Sequence, residues 1–177
     1  MAPRRQRRVD ALAAAAAEWQ ERVIVPHCAA CREPCCRLNT VVLDLDWPRV
    51  KALYRIETPK RAFDAALAAG DGPSHLRKQG DLYYAHVLPC PAYDEAAHRC
   101  TVYGSALKPP SCTDFPVYVD GEGVTADRRC EAVDVAALQA HLERATGMRL
   151  RQEPDDDFPE LVTLVPLQSR DRERSSE

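Results

Sequence analysis

The stretch HCAACREPCC, residues 27–36, places four cysteines within ten positions and ends with two of them side by side. Such crowding has three explanations: a disulfide framework, a redox-active pair, or thiolates that bind a metal. Four more cysteines follow between residues 90 and 130. Because aromatic residues make up only 6% of the chain, the buried side chains are small, and we expect the thiols to help hold the fold together.

Composition narrows the class of protein. A length of 177 residues with 45% hydrophobic residues suits a single globular domain. The net charge of -3 gives no general basic surface, so we expect no nucleic-acid partner. No segment approaches the roughly 18 consecutive apolar residues of a membrane span, so we expect no membrane association.

The compartment decides among the three explanations for the cysteines. Asp10 and Glu18 bracket the alanine run near the N-terminus, and no convincing cleavage site follows, so we expect a cytoplasmic protein. In a reducing compartment eight cysteines favour metal binding, while a disulfide framework is the alternative for an exported chain. A thioredoxin-like pair requires a preceding strand, whereas Cys28 follows a predicted helix and Pro26.

Local patterns predict an α+β fold: a small, irregular, metal-stabilised domain with short strands, flanking helices and cysteine-bearing loops. We expect a disordered basic N-terminus at residues 1–8, a single cysteine-cluster domain at 9–166, and a mobile charged tail at 167–177. Helices are predicted at about 11–23 with Asp10 as the cap, after Asp46, after Thr58 and Pro59 as far as about Gly70, and from Asp134 to about Thr146. Strands are predicted at 41–45 and 82–88, and a hairpin at 115–130 with its turn at 120–123.

The eight cysteines form two groups of four along the sequence, which is the number that tetrahedral thiolate sites require. Two residues separate Cys28 from Cys31, a spacing that lets both sulfurs reach one ion. Cys35 and Cys36 are adjacent, and adjacent side chains point to opposite sides of an extended backbone. This doublet therefore serves either two sites or one site and one packing position. His27 and His98 are predicted to lie on the surface, since the thiols suffice as ligands. The candidate ligands are Cys28, Cys31, Cys35 and Cys36, followed by Cys90, Cys100, Cys112 and Cys130.

The order C-x2-C-x3-C-C, then CPAY, CTVY and KPPSCTDFP resembles the CxxCxxCC or YkgJ family of zinc- or iron-chelating cysteine-cluster proteins. The resemblance covers residues 27–130 and extends to the family's phenylalanine-proline pair, here Phe115 and Pro116. It implies that the first seven cysteines occupy ligand positions and that Cys130 is the trailing cysteine. It also implies zinc or iron as the cofactor, including iron held as a 4Fe-4S cluster.

Metal binding is the one biochemical activity that the sequence predicts, with a metal ion as the partner. Neither a nucleophile elbow nor a phosphate-binding glycine loop is present. One alternative is an iron-sulfur-dependent enzyme in electron transfer or protein modification, and another is a structural zinc module for protein interaction. The sequence identifies no protein partner, and four thiolates serve zinc and an iron-sulfur cluster equally well.

Overall fold

The computed structural model describes residues 3–28, 30–32, 34–37, 42–86, 90–97 and 99–167. The chain divides into two compact units, and each has its own hydrophobic core. The terminal unit comprises residues 1–31 and 115–177, and the central unit comprises residues 32–114. Among the described residues, no helix has both the length and the hydrophobicity needed to cross a membrane.

Short helices and antiparallel strands make up both units, which confirms the predicted α+β class. A π-helical turn (Gln20–Ile24) joins the first two helices, and a 3-10 turn covers Cys35–Arg37. The helices are α1 (Pro3–Trp19), α2 (Val25–Cys28), α3 (Trp47–Leu53), α4 (Lys60–Ala69), α5 (Pro110–Asp114) and α6 (Val135–Thr146). The strands are β1 (Val42–Leu45), β2 (Leu76–Gln79), β3 (Leu82–His86), β4 (Tyr93–Asp94), β5 (Arg99–Cys100), β6 (Val117–Asp120), β7 (Gly123–Asp127), β8 (Leu150–Pro154) and β9 (Leu161–Pro166).

The core of the terminal unit is formed by α1, α6 and an antiparallel sheet with strand order β6-β7-β9-β8. α1 packs against α6 and against β6 and β7. Leu12, Ala16 and Trp19 of α1 are buried, which confirms the apolar face that helical spacing predicts. The core is completed by the fully buried side chains of Val124, Leu138, Leu142 and Leu164.

The central unit is built on an antiparallel sheet with strand order β1-β3-β2, against which α3 and α4 pack. In β3 the buried residues are Tyr83 and Ala85, while the side chains on either side alternate outward. The rings of Trp47 and Phe63 lie on Tyr83 with centroid distances of 6.2 Å each. Much of the chain's small aromatic content is therefore concentrated around one residue of the central strand.

A charged network fixes α4 to this sheet. The Tyr83 hydroxyl donates a hydrogen bond to Asp64 Oδ1, and the Nζ atoms of Lys60 and Lys78 lie 2.9 and 3.0 Å from Oδ2. Burial by itself would raise the pKa of Asp64, but the hydrogen bonds from Tyr83, Lys60 and Lys78 outweigh it and lower this pKa to about 2. The ionised carboxylate thus joins one helix to two strands.

In the terminal unit, one buried charge organises the turn that follows β7. The carboxylate of the fully buried Asp127 accepts hydrogen bonds from the backbone N–H and the Nε–H of Arg129 at 3.0 and 2.9 Å. The hydrogen bond with Asp127 raises the pKa of Arg129. The Asp127 N–H donates to the Pro116 carbonyl at 2.8 Å, and the Cys130 N–H donates to the Asp127 carbonyl at 3.3 Å. Residues 128–131 therefore follow a path set by this carboxylate.

The local signals that begin α3 and α6, end α4 and α6, and form the hairpin are confirmed. The side chains of Asp46 and Asp134 cap α3 and α6 by accepting from the third residue beyond, each at 3.0 Å. Gly70 and Gly147 end α4 and α6 with φ of 87° and 69°, the left-handed conformation that glycine adopts without strain. The predicted hairpin is formed by β6 and β7.

Other elements differ from the sequence expectations. α1 begins at Pro3, so the described part of the segment expected to be disordered is helical, and Asp10 accepts from Gln6 inside the helix at 2.8 Å. Strands β2, β4, β5, β8 and β9 were not predicted, and α5 forms within a segment expected to be a loop. Val41, Leu88 and residues 168–177 of the predicted mobile tail lie outside the described residues. The single domain over 9–166 stays a prediction, since compact units can unfold as one cooperative domain.

We predict that Asp64→Asn destabilises the protein at neutral pH and that the difference from wild type disappears in acid. The folded-state pKa of about 2 lies below the ordinary value of 3.8, so the carboxylate stabilises the fold fully above pH 3.8 and loses this effect as the pH falls through 2. Urea unfolding between pH 2 and 7 measures the difference. The exposed Asp71→Asn is the matched control, and a difference from wild type that is independent of pH would contradict the network.

We predict that Asp127→Ala costs the terminal unit about 3 kcal/mol, because it removes the buried carboxylate to which the backbone N–H and the guanidinium of Arg129 donate. Urea unfolding, followed by hydrogen exchange in β7 and β9, reports the loss. The exposed Asp156→Ala should change the free energy of unfolding by no more than about 0.5 kcal/mol. Equal effects of the two substitutions would show that the turn does not depend on the buried charge.

Candidate metal centres

Five of the predicted ligands lie in the central unit, and the four whose side chains are described each lie on a different local structure. One begins a 3-10 turn, one precedes the β4–β5 hairpin, one ends β5 and one lies in α5. In chain order these residues are Cys35, Cys90, Cys100 and Cys112.

The β4–β5 hairpin fixes two of these cysteines. The Tyr93 N–H donates to the Cys90 carbonyl at 2.9 Å, and Tyr93 pairs with Cys100 across the hairpin. Thr101 donates both its N–H and its hydroxyl to the Ala92 carbonyl, each at 2.8 Å. Cys90 and Cys100, ten residues apart in the sequence, are therefore held by the same small structure.

Helix α5 carries Cys112, the last of the four cysteines. The Cys112 N–H donates to the Pro109 carbonyl at 3.1 Å, which closes the first turn of this helix. The guanidinium of Arg49, on α3, donates to the carbonyls of Ala106 and Lys108 at 3.2 and 3.4 Å. The loop that carries Cys112 is thus tied to the sheet-packing helix of the central unit.

Burial and charge both act on these sulfurs. Cys90 is only 9% exposed, and Cys100 and Cys112 pack against the same core. Burial, together with the neighbouring thiolates of Cys35, Cys90 and Cys100, raises the pKa of Cys112 to about 12, although Lys108 acts in the opposite direction. The other three cysteines therefore lie close enough to Cys112 for their charge to disfavour its thiolate, a cost that a bound cation would reverse.

The donor set and its surroundings fit a thiolate-bound metal. Four sulfur donors are the set that tetrahedral zinc and iron-sulfur clusters use. The hydroxyl of Ser111 is buried and has no hydrogen-bond partner within the described part of the chain. It directly precedes Cys112 in α5, and a hydroxyl beside a thiolate can donate to sulfur.

A different group of donors lies in the terminal unit. His27 Nε2 is 2.8 Å from Glu131 Oε1, and the ligand atoms of His27, Cys31 and Glu131 all lie within 4.8 Å of one another. Two further cysteines belong to the same unit: Cys28 is exposed at the end of α2, and Cys130 packs, partly buried, against the terminal core. The terminal unit therefore combines nitrogen, sulfur and oxygen donors.

The structure groups the cysteines differently from their order in the sequence. The doublet at residues 35–36 was expected to serve either two sites or one site and one packing position. Cys35, with Cys90 and Cys100, acts on the charge of Cys112, whereas the sulfur of Cys31 lies near the ligand atoms of His27 and Glu131. The side chain of Cys36 and the whole of His98 lie outside the described residues. Which of the eight cysteines bind metal stays a prediction.

His27 and Glu131 show what sequence reasoning missed. His27 was expected to lie on the surface, and its side chain is 39% exposed, but the sequence did not indicate its hydrogen bond with Glu131. Glu131 was not considered, because an acidic residue after a cysteine is no signal until the turn at Asp127 is known. The adjacency of His27 to Cys28 and of Glu131 to Cys130 was the available hint.

Comparisons with known proteins agree with the cysteine pattern. No curated protein and no solved structure matches the chain significantly. One family model, CxxCxxCC, described as "Putative zinc- or iron-chelating domain", matches residues 27–131, which is more than half of the chain and includes both donor groups. The protein therefore belongs to the CxxCxxCC family of metal-chelating cysteine-cluster domains.

Proposed function

We propose that the protein binds one zinc or iron centre in its central unit through the thiolates of Cys35, Cys90, Cys100 and Cys112. Two observations support this proposal: Cys90, Cys100 and Cys112 pack against one core, and Cys35 lies near enough to act on the charge of Cys112. A shared metal ion would account for the approach of cysteines from four separated segments, because each would supply one ligand.

The proposed centre is structural, because four protein sulfurs complete a tetrahedral shell and leave no position for a reacting water. Its loops need such a cross-link. β4 and β5 have two residues each and α5 has five, and elements of this size are marginal in water by themselves. Since thiolates must stay reduced to bind metal, a reducing compartment such as the cytoplasm suits this function.

Iron in a 4Fe-4S cluster is the competing occupant of the same four thiolates. Such a cluster would support electron transfer or modification of a protein, whereas zinc would make the domain a structural module. The metal alternatives share the ligands, so one set of variants tests both. Sulfide content and the visible spectrum then separate them.

We predict that the chain, purified without oxygen from reducing cells, carries about one metal centre in the central unit and that Cys112→Ser removes it. Elemental analysis, acid-labile sulfide and the visible spectrum measure the content. The exposed Cys28→Ser in the terminal unit is the control and should retain the central metal. A metal-free wild-type protein whose thiol titration shows mostly oxidised cysteines would favour disulfides, and full metal content in Cys112→Ser would exclude the proposed ligand set.

A further prediction concerns chelation of the metal under reducing conditions. Amide protection should fall in residues 90–94 and 99–114, whereas β6, β7 and α6 should keep theirs, because the terminal unit has its own core. A structural zinc site contributes on the order of 10 kcal/mol of apparent folding free energy, enough to decide the order of so small a segment. Hydrogen exchange measures both regions at once. Unchanged protection at 99–114 would show that the metal is not structural.

A further inference from the structure

We propose that the terminal unit holds a second metal site, formed by His27, Cys31 and Glu131 and suited to a divalent cation of the zinc class. This site goes beyond the four-thiolate centre and shares no residue with it. Its three donor atoms lie within 4.8 Å of one another, and the closest pair, His27 Nε2 and Glu131 Oε1, is 2.8 Å apart.

The separations suit a zinc ion after a small adjustment. Metal–ligand distances of about 2.0 to 2.3 Å place the donors of a tetrahedral site roughly 3.3 to 3.8 Å apart. The hydrogen-bonded pair must open slightly and the sulfur must approach by at most about 1 Å. Side-chain rotations allow this, because His27 is 39% exposed and Glu131 is 24% exposed. The hydrogen bond between His27 and Glu131 keeps both donors facing one another before metal enters.

Two ordered segments carry the three donors. His27 lies in α2, and the Ala30 N–H donates to the His27 carbonyl at 2.9 Å, so the chain turns before it reaches Cys31. Glu131 follows the turn that the buried Asp127 organises, and the Val133 N–H closes a second turn on the Cys130 carbonyl at 3.0 Å. Backbone hydrogen bonds and the buried Asp127 therefore fix the path of both segments that carry the donors.

The donor chemistry differs from that of the central unit. One imidazole nitrogen, one thiolate and one carboxylate are borderline ligands that favour zinc, whereas calcium and magnesium prefer oxygen alone. Three protein ligands leave a fourth position for water or another exchangeable ligand. A simple surface ion pair would account for His27 and Glu131, but not for a cysteine sulfur placed with them.

Zinc titration of the full chain against a competing chromophoric chelator tests the site. We expect a second, weaker class of zinc in wild type, and at least about a tenfold loss of its affinity in His27→Ala and in Glu131→Gln. His86→Ala and Glu21→Gln, which alter exposed residues of the same types, should leave it unchanged. His27→Cys should restore binding, because it supplies another zinc ligand. Wild-type zinc affinity in both His27→Ala and Glu131→Gln would overturn the proposal.

Cobalt provides a second readout that does not depend on affinity. Cobalt bound at this site should show the visible bands of a four-coordinate ion with weak thiolate charge transfer, since it has a single protein sulfur, and these bands should vanish in Glu131→Gln. The central centre is judged separately by Cys112→Ser. Loss of metal in Cys112→Ser with unchanged cobalt bands in Glu131→Gln would refute the second site alone. Full metal content in Cys112→Ser with loss of the cobalt bands in Glu131→Gln would refute the four-thiolate centre alone.

Discussion

The thiols that pack against the core of the central unit impose the constraint on which that unit depends. Burying thiols together disfavours their ionisation, as the raised pKa of Cys112 shows. The segments that bring them together are too short to persist alone, because they contain two strands of two residues each and one helical turn. In the proposed centre, one bound cation offsets the electrostatic cost of gathering the thiolates. The same cation cross-links the short segments and so stabilises their structure.

The rest of the molecule is stabilised by ordinary means. The terminal unit buries leucines and valines between two helices and a sheet, and it buries one carboxylate whose hydrogen bonds are satisfied by Arg129. The sheet of the central unit is anchored by Tyr83, whose ring packs among aromatics and whose hydroxyl meets Asp64. In the proposed centre, metal coordination, worth on the order of 10 kcal/mol, adds to this core at residues 90–114, where the strands are only two residues long.

Signals confined to a few residues were predictable from the sequence, and those that depend on distant partners were not. A cap such as Asp134 or a stop such as Gly147 acts within one turn, so its residue type suffices. In the sequence, β9 is recognisable only as an apolar run, because its strand partner in β7 lies almost forty positions away. The cysteines follow the same rule: their number and the family pattern predict metal binding, but the neighbours of Cys35 depend on the fold and not on proximity along the chain.

The crowded stretch at residues 27–36 has a structural reason. The chain passes from the terminal to the central unit between Cys31 and Arg32, so cysteines only a few residues apart belong to different units. Cys31 lies with a histidine and a carboxylate, whereas Cys35 lies with three other cysteines. A closed set of thiolates suits a structural ion, and a mixed set with one open position suits an exchangeable one. In the two proposed sites, the cysteines at residues 27–36 are crowded because a short segment carries ligands for two donor sets of different chemistry. The four thiols need not share one ion.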